Sequence, residues 1–362
     1  KNWEREMKRL KITREYKIIS KEEFRRDWKI LGKFDTVICD EAHTLLGVQP
    51  SMRKAGSMWL PKASQLFDSF YSFIRLTSPS RLYLVTATPT RSPMAVWGAA
   101  TLLGAQWNFF EFRSAFYYQF MMGKRKVWKV KNDKATKERL GRAVRKLGYT
   151  GRLQDFVDIP EQTFKTDYVL LTKEQQQKID EISLKWPDPL VLSLKKHMIE
   201  NGVFGGDEFK KAQYFSNEKV DRILEYSIEF PQMVIFARYK AQIDQIALEI
   251  RKSGKQVFVL TGDTKDRGKM ILEAQRQENY VFICQSQVGA GWELPNCPVV
   301  IFASIDFSLV NYVQSVGRIN RINNPKKNLY IHLVVCGGID EKVFKTVVYE
   351  KMDFHLAQFV TE

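Results

Sequence analysis

Cysteine and histidine are scarce in this sequence of 362 residues, which contains four of each. The cysteines are widely spaced, and three of them lie in or beside apolar runs: Cys39, Cys284, Cys297 and Cys336. This spacing argues against a disulfide framework and against a zinc site, and it is typical of the reduced thiols of an intracellular protein. A metal cluster built on histidine is not expected either.

Long apolar runs are also missing. No run approaches the length of a membrane span, and the charged residues 1–6 lack the apolar core of a signal peptide. The length and the 44% content of hydrophobic residues suffice for two domains with cores of their own. We therefore expect a soluble intracellular protein with no membrane partner, in the cytoplasm of a bacterium or a virus-infected cell, or in a eukaryotic nucleus.

Acidic residues are outnumbered, and the net charge of +16 indicates a polyanionic partner. The excess of positive charge is concentrated between Met121 and Arg152. This segment contains twelve Lys or Arg residues and only two acids, Asp133 and Glu138. Such a run can simply be a solvated helical face. Its concentration and the interleaved aromatic residues favour contact with nucleic-acid phosphates, with Lys124, Arg125 and Lys126 as candidates.

One segment contains candidate catalytic residues. Residues 36–39 (Thr-Val-Ile-Cys) predict a strand buried on both faces of a parallel sheet. Asp40 and Glu41 follow at the carboxyl edge, where open α/β folds bind ligands. In nucleotide hydrolases, an Asp at this position holds Mg²⁺ and a neighbouring carboxylate activates water. The alternative is a solvated acidic turn.

The pattern of apolar segments predicts an α/β protein in three parts. In residues 1–105, strands at 16–20, 36–39 and 82–85 alternate with helices at 21–28 and 62–76, with a long loop over 45–61. Residues 106–215 predict a mostly helical basic insertion and linker, with an edge or connecting strand at 165–171. Residues 216–362 predict a second parallel α/β domain, with strands at 233–237, 256–260, 280–284, 299–303 and 329–335 and helices at 241–252, 268–277 and 309–321.

The last of these helices carries a polar face. Gln314 and Arg318 are four residues apart and Arg318 and Arg321 three apart, so a helix would place them on one face. Gly317 between them lowers helix propensity and indicates close approach by a ligand or another backbone. Two guanidinium groups on one face suit a transferring phosphoryl group. A surface arginine pair making salt bridges is the alternative.

Two further turns are candidate sites. Gly289 and Gly291 follow a predicted strand and allow a phosphate or ribose to approach the backbone, with Glu293 close by. A plain tight turn explains them equally well. Thr86 and Thr88 end the strand expected beside the Asp40 strand, although their hydroxyls also suit helix capping.

The order of these segments resembles motifs II, III, V and VI of superfamily-2 helicases and translocases: Asp40-Glu41-Ala42-His43, Thr86-Ala87-Thr88-Pro89, the Gly289/Gly291 loop, and Gln314-x-x-Gly317-Arg318-x-x-Arg321. Further segments resemble the Swi/Snf-type branch: residues 2–6, 16–20, 159–161, 171–175, 219–220, 236–238, 260–263 and 338–342. The resemblance covers essentially the whole chain.

This resemblance implies two RecA-like lobes that clamp ATP between them. Asp40 would hold Mg²⁺ through water and Glu41 would activate the hydrolytic water. His43, Thr86 and Thr88 would couple the nucleotide state to the grip on nucleic acid. The second lobe would supply the ATP-contacting loop and the arginine fingers: Gly289, Gly291 and Glu293, then Arg318 and Arg321 with Gln314 nearby. Ser20, Arg238 and Gln287 would contact phosphates of the nucleic acid.

One departure from the family concerns the phosphate-binding loop. None of its four Gly-Lys pairs is followed by Ser or Thr, as a phosphate-binding loop requires: Gly32-Lys33, Gly123-Lys124, Gly254-Lys255 and Gly268-Lys269. Because that loop precedes the first of these segments in the family, we expect the first lobe to be incomplete at its amino end. Weak or absent ATP hydrolysis by these 362 residues alone is the corresponding expectation.

Three functions remain open. The first is an ATP-dependent motor of the DEAH-box, Swi/Snf type that moves on double-stranded or branched DNA. The second is a helicase that separates strands of DNA or RNA. The third is a nucleic-acid-binding module without catalysis. Thr-Ala-Thr-Pro in place of the usual Thr-Gly-Thr-Pro, together with compact insertions, favours a bacterial or bacteriophage relative.

Overall fold

The computed structural model describes residues 2–89, 92–122, 125–205, 212–288, 291–320 and 327–359. The chain forms two compact units, the first comprising residues 1–150 and 354–362 and the second residues 151–353. The predicted segment 106–215 is therefore divided between the units at residue 150. Within the described ranges, no helix has the length and apolarity that a membrane span needs.

Among its described residues, unit 1 contains the α-helices α1 to α6, several short 3-10 helices and three small two-stranded sheets. Its elements are α1 (Asn2–Arg9), α2 (Lys21–Asp27), β1 (Thr36–Cys39), β2 (Val48–Ala55), β3 (Met58–Ala63), α3 (Gln65–Thr77), β4 (Arg81–Leu84), α4 (Pro93–Leu102), α5 (Phe109–Phe116), β5 (Tyr117–Met122), β6 (Arg125–Val130) and α6 (Lys134–Leu147).

The strand that precedes Asp40 forms as predicted and pairs in parallel with β4, from Thr36 opposite Arg81 to Cys39 opposite Leu84. The carboxyl ends of both strands therefore lie at one edge. Burial on both faces is wrong, because Ile38 and Tyr83 are more than half exposed while Val37 and Leu82 pack inward. The sheet has one apolar face against the core and one open face.

Two other predictions for unit 1 are corrected. Residues 16–20 are not a strand, because no described strand pairs with them, and unpaired backbone cannot form a sheet ladder. Residues 45–61 are not a plain loop, since β2 and β3 form an antiparallel hairpin. Gly56, with a φ of 60°, starts its two-residue turn, a conformation that glycine adopts without strain.

The basic stretch is also less helical than predicted. β5 and β6 form an antiparallel hairpin with six residue pairs, from Tyr117 opposite Val130 to Met122 opposite Arg125. α6 follows, capped by Asp133, whose side chain accepts a hydrogen bond from the Thr136 amide. Its buried face carries Leu140 and Val144, and its remaining surface is rich in lysine and arginine.

Unit 2 is an α/β domain around a six-stranded sheet. Its elements are β7 (Gln162–Val169), α7 (Lys173–Lys185), α8 (Pro189–Glu200), β8 (Val203–Phe204), β9 (Gln213–Tyr214), α9 (Glu218–Glu229), β10 (Gln232–Ala237), α10 (Lys240–Lys252), β11 (Gln256–Leu260), α11 (Arg267–Gln275), β12 (Tyr280–Gln285), β13 (Val299–Phe302), α12 (Leu309–Val316), β14 (Asn328–Val335) and α13 (Ile339–Phe344). A π-helical segment, Lys345–Lys351, and α14 (Met352–Leu356) follow.

The strand order is β11-β12-β10-β13-β14-β7, with every pair parallel. Strands β10 and β13 are buried along their whole length, which explains their continuous apolar sequences. Each face of the sheet supports its own apolar cluster. β7 lies at the edge beside β14 and confirms the predicted edge strand.

The remaining predicted strands and helices of this unit form within a few residues of their expected bounds, except for the helix expected over 309–321. α12 ends at Val316, and Gly317 caps it with a φ of −69°. Glycine has low helix propensity, and residues 317–319 continue as a turn. Arg318 therefore lies beyond the helix, and Arg321 lies outside the described residues.

All four cysteines are free thiols, which agrees with the absence of a disulfide framework. Cys284 and Cys297 are buried, whereas Cys336 is exposed. Burial raises the pKa of Cys39 to about 12, so this thiol stays protonated at neutral pH.

Candidate active site

The carboxyl edge of the β1–β4 sheet brings the predicted carboxylates to one place in unit 1. Asp40 follows directly after β1, and one of its carboxylate oxygens accepts a hydrogen bond from the Glu41 amide at 2.9 Å. The other accepts the indole N–H of Trp3, also at 2.9 Å. Trp3 belongs to α1, which contains residues 2–6, one of the segments that resemble the Swi/Snf-type branch. The indole contact fixes the orientation of Asp40 at the sheet edge.

Glu41 has a left-handed backbone, with a φ of 50° and a ψ of 45°. Non-glycine residues adopt this conformation rarely, and it is commonly associated with functional sites. A carboxylate oxygen of Glu41 lies 3.1 Å from Nδ1 of His43. His43 is buried, whereas the Glu41 side chain remains 41% exposed and open to a ligand.

His43 also contacts the neighbouring strand end. Its Nδ1 atom lies 3.1 Å from the hydroxyl of Thr86, and this hydroxyl accepts a hydrogen bond from the Thr88 amide at 3.1 Å. The backbone supports the same arrangement, because the Ala42 amide donates to the Val85 carbonyl at 2.9 Å. The acidic segment and the Thr-Ala-Thr-Pro segment are therefore joined through His43.

Thr88 is almost fully buried, and its hydroxyl has no hydrogen-bond partner among the described residues. Its predicted capping role belongs instead to Ser92, which accepts the Ala95 amide at the start of α4. Pro93 then occupies the first turn, where its missing N–H costs nothing. An unpaired buried hydroxyl is unfavourable and marks Thr88 as a residue to test.

Asp40 suits a magnesium ion that also binds nucleotide phosphates. Mg²⁺ prefers oxygen ligands, keeps several waters, and needs only one or two carboxylates when phosphates supply the rest. Among the described residues, no group of three or more Asp, Glu, His or Cys side chains forms a metal site by itself. Asp40 and Glu41 would therefore need further oxygen ligands, such as those of a nucleotide, to hold such an ion.

In unit 2, Arg318 is buried and holds two segments together. Its Nε atom donates to the Gln314 carbonyl at 2.8 Å, and Nη1 donates to the Trp292 carbonyl at 2.6 Å. The Arg318 carbonyl accepts the Leu294 amide at 3.0 Å. The turn after β12 and the end of α12, which sequence analysis identified as separate motifs, are thus bridged by Arg318.

Of the predicted ATP-contacting loop, the structure describes Gly291 and Glu293. Gly291 has a φ of 82°, a left-handed conformation that favours glycine. Glu293 is exposed, and its carbonyl accepts a hydrogen bond from the Gln275 side chain at 2.9 Å. Gly289 and Arg321 lie outside the described residues. Gln314, next to Arg318 in this arrangement, is half-buried.

The predicted phosphate contacts belong to both units. Ser20 caps α2 through a hydrogen bond from the Glu23 amide, and Lys126 is exposed on β6. In unit 2, Arg238 follows β10 and Gln287 follows β12, so both lie at the carboxyl edge of the large sheet. Of the other basic candidates, Lys124 lies outside the described residues and Arg125 begins β6.

Sequence analysis missed a buried polar network behind Arg238. The Arg238 amide donates to the Ser304 hydroxyl at 2.8 Å, and this hydroxyl donates to the Gln242 side chain at 2.6 Å. Gln242 contacts Asn201, which in turn accepts from the ammonium group of Lys219 at 2.8 Å. The network therefore links the carboxyl edge of the sheet to the helices behind it.

Lys219 and Asp340 form the centre of this network. Lys219 Nζ lies 2.8 Å from the Asp340 carboxylate, whose other oxygen lies 3.1 Å from His197 Nε2. Burial alone would raise the pKa of Asp340, but the charge of Lys219 and the hydrogen bond from His197 outweigh it and hold this pKa below its usual range. Glu200 accepts two amides of α13, and burial raises its pKa.

A small cavity lies beside these segments at the same edge of the sheet. It is lined by Ser286, Phe302, Ile305, Asp306, Asn311, Tyr312 and Ser315. The hydroxyl of Ser286 is buried without a hydrogen-bond partner in the described part of the chain. The cavity thus touches both the turn after β12 and the polar side of α12.

Part of unit 2 is similar to known proteins. Residues 217–323 match the helicase conserved C-terminal domain. The chain is 26% identical over 137 residues to the pre-mRNA-splicing ATP-dependent RNA helicase PRP28 of Scheffersomyces stipitis, covering 35% of this chain and 28% of that protein. It is 25% identical over 140 residues to eukaryotic initiation factor 4A of Dictyostelium discoideum, covering 37% and 34%. The chain thus spans about a third or less of the length of these relatives.

Among solved structures, the chain is similar to the C-terminal part of the Fun30 ATPase domain. The match has a TM-score of 0.45 and 12% sequence identity, and it covers 56% of this chain and 98% of that one.

The family match begins at the N-cap of α9 and includes the strands β10 to β13 and the helix α12. Over residues 217–323, the chain is therefore similar to the helicase conserved C-terminal domain.

Proposed function

We propose that the protein is a nucleic-acid-dependent ATPase of the Swi/Snf type, a motor that couples ATP hydrolysis to movement along double-stranded or branched DNA. The observation that carries this proposal is the cluster at the β1–β4 edge, where Asp40, Glu41, His43 and Thr86 meet. The helicase C-terminal domain match supports the use of ATP and nucleic acid.

In this proposal each residue of the cluster has a role. Asp40, oriented by Trp3, would hold Mg²⁺ through water beside the nucleotide phosphates, and the ion would neutralise charge on those phosphates. Glu41, held by His43 and still exposed, would accept a proton from the attacking water. His43 and Thr86 would report the state of this carboxylate to the segment that contains Thr88.

Roles in ATP hydrolysis are also proposed for residues of unit 2. Arg321 would act as the arginine finger, with Gly289, Gly291 and Glu293 near the nucleotide. Arg318 already donates hydrogen bonds to the Trp292 and Gln314 carbonyls, which supports a positioning role for it. Ser20, Arg238, Gln287 and the basic residues Lys124, Arg125 and Lys126 would contact phosphates of the nucleic acid.

The test uses the protein produced from its complete gene. We expect ATP hydrolysis to rise when duplex DNA is added and to be abolished by Glu41→Gln, with DNA binding retained. Displacement of a third strand from a DNA triplex, without separation of the duplex, is the result expected of a translocase. ATP hydrolysis that no nucleic acid stimulates, or that Glu41→Gln leaves unchanged, would overturn the proposal.

A strand-separating RNA helicase is the second candidate, because two of the similar proteins are named as ATP-dependent RNA helicases. DBP3 of Yarrowia lipolytica, the second of these, is 24% identical over 104 residues, covering 28% of this chain and 20% of that protein. ATP hydrolysis stimulated by RNA and not by duplex DNA, together with unwinding of an RNA duplex, would favour this function.

A further inference from the structure

The hairpin of β5 and β6 exposes apolar side chains that its fold does not need. Tyr118 is 44% exposed, Phe120 38% and Met122 64%. Alternate residues of a strand share a face, so these three side chains lie on one side of the hairpin. On the facing strand, Val127 pairs with Phe120 and Lys129 with Tyr118. This side of the hairpin, the aromatic face, therefore combines two rings with an exposed cation.

The base of the hairpin is firmly anchored. Tyr117 is buried, and its hydroxyl accepts the Met94 amide at 3.4 Å. On the side opposite the aromatic face, the Arg113 guanidinium lies 4.1 Å from the centre of the Trp128 ring. Lys131 closes the base, its ammonium group donating to the Ser114 carbonyl at 2.7 Å. An isolated hairpin is only marginally stable, so these contacts are what hold the aromatic face in place.

The surroundings of the aromatic face are strongly basic. Lys126 and Lys129 on β6 are exposed, and the segment from Met121 to Arg152 contains twelve basic residues and two acids. On α6, Lys134, Arg139 and Lys146 are exposed as well. The partner that suits this surface is an anionic polymer that also offers flat apolar faces.

Unpaired nucleotides have this combination of properties. The ring centres of Tyr118 and Phe120 are 6.4 Å apart, about twice the ~3.4 Å rise per nucleotide of a stacked strand. Inside a duplex each base is covered by its neighbours and cannot stack on a side chain. In a single strand every base can offer its face to an aromatic ring while lysines bind the phosphates.

We propose that the aromatic face of the β5–β6 hairpin binds single-stranded nucleic acid, with bases stacked on Tyr118 and Phe120 and a phosphate bound by Lys129. This inference rests on the proposed function for the presence of nucleic acid and adds its substrate: the unpaired strand of a branched or partly opened molecule. Because the end of the hairpin next to α5 is anchored, the protein loses little conformational freedom when it binds.

The experiment measures binding without ATP, by fluorescence anisotropy, to labelled oligothymidylate and oligouridylate of about 12 nucleotides. We expect Tyr118→Ala and Phe120→Ala each to raise the Kd by about tenfold, the usual effect of removing one base-stacking ring. The salt dependence should stay unchanged. Lys129→Gln should instead reduce the slope of log K against log salt by about 0.7.

Tyr71→Ala is the matched control. Tyr71 lies on α3 in the same unit and is 37% exposed, nearly as much as Phe120, but it is outside the basic segment. Its variant should bind the oligonucleotides as the unchanged protein does. Binding to a blunt duplex should also be unaffected by Tyr118→Ala and Phe120→Ala. Thermal unfolding of each variant checks that it is folded.

Each possible result either supports or overturns the proposed binding of single strands. Selective loss of single-strand binding in the two aromatic variants supports the proposal, and a preference between the two oligonucleotides identifies DNA or RNA. No loss, an equal loss in Tyr71→Ala, or an equal loss on duplex would overturn it. The proposal would also be overturned if the unchanged protein did not bind oligonucleotides but bound anionic lipid vesicles through these rings. ATP hydrolysis stimulated by duplex DNA is measured separately, so the proposed function can stand or fall alone.

Discussion

The Nδ1 atom of His43 lies 3.1 Å from the Oγ1 atom of Thr86, joining two segments that are 43 residues apart in the sequence. The same nitrogen lies 3.1 Å from the Glu41 carboxylate. One imidazole therefore contacts both the predicted catalytic carboxylate and the hydroxyl that receives the Thr88 amide. A change at Glu41 can pass to the second segment through a single side chain.

Replacing Thr86 by Val tests this connection. The substitution keeps the shape but removes the hydroxyl, so the Thr88 amide and His43 lose a partner. We expect the free energy of unfolding to fall by about 1–2 kcal/mol. Stimulation of ATP hydrolysis by nucleic acid should fall, while binding of nucleic acid persists. Denaturant unfolding and ATPase assays measure the two effects.

Thr88→Val is its control, because the Thr88 hydroxyl is buried without a partner among the described residues. Removing an unpaired buried hydroxyl should leave stability unchanged or raise it. Normal stimulation in Thr86→Val would contradict the coupling role of this contact.

Breaking the buried pair of Lys219 and Asp340 should strongly destabilise unit 2. Their side chains are only 1% and 3% exposed. Lys219→Met or Asp340→Asn leaves one charge buried without its partner, at a cost of about 3–5 kcal/mol. The double variant should recover part of this loss, since neither charge then remains. A double-mutant cycle from urea unfolding measures the coupling.

The exposed pair of Lys240 and Asp263 provides the comparison. Its separation is similar, 2.6 Å, but the two side chains are 52% and 77% exposed. Lys240→Met should therefore cost less than about 1 kcal/mol. Equal losses at the two pairs would show that burial is not the deciding factor.

His332 should make stability fall in mild acid. Its ring is buried against Phe302, and burial lowers its pKa from 6.5 to about 4. Between these pH values the unfolded chain binds the proton and the folded chain does not. The contribution of His332 to the free energy of unfolding is therefore fully present above pH 6.5 and is lost as the pH falls toward 4. The loss amounts to about 3 kcal/mol, at ~1.4 kcal/mol per pKa unit.

His332→Gln isolates this contribution. The variant should be less stable than the unchanged protein at pH 7.5 but should lose less stability between pH 7.5 and about 4.5. The comparison must be made between the two proteins, because the raised pKa of Glu200 acts in the opposite direction. Identical pH dependence in both would exclude His332 as its source.

Arg318→Lys separates a positioning role from direct catalysis. Lysine cannot reproduce the two directed hydrogen bonds to the Gln314 and Trp292 carbonyls. If Arg318 positions the turn after β12, unfolding free energy should fall by about 2–3 kcal/mol. A variant with full stability and no ATP hydrolysis would indicate instead that the guanidinium acts on the nucleotide. Urea unfolding and ATPase rates, measured on the same preparation, distinguish the two.

Gly141→Ala should weaken unit 1. A Cβ atom at this position on α6 would overlap the backbone carbonyl of Ala357, which packs against the helix. We expect a loss of about 1–3 kcal/mol from this overpacking, measured as a lower Tm. Gly268→Ala is the control, because a Cβ there meets nothing within 4 Å among the described residues.

The sequence alone was sufficient for most of unit 2. Strands such as β10 and β12 contain continuous apolar runs of five residues, and amphipathic helices separate them, so local pattern and tertiary burial agree. The order of Asp40, Thr86 and Arg318 along the chain was enough to predict a helicase relative, and the matched C-terminal domain agrees with that.

Other features depended on contacts that no local pattern encodes. Residues 16–20 have the composition of a strand, but a strand also needs a neighbour to accept its backbone hydrogen bonds. The β5–β6 hairpin was concealed because its aromatic residues also suit a helix, and only pairing across the hairpin decides between them.

The buried polar network of unit 2 also could not be predicted from the sequence pattern. Lys219 and Asp340 are 121 residues apart, and their charges tolerate burial only because folding brings them within 2.8 Å. The sequence determined which segments are apolar, basic or acidic, because those properties belong to individual residues. Tertiary structure decided which of them meet, because a hydrogen bond or an ion pair exists only when both partners are in place.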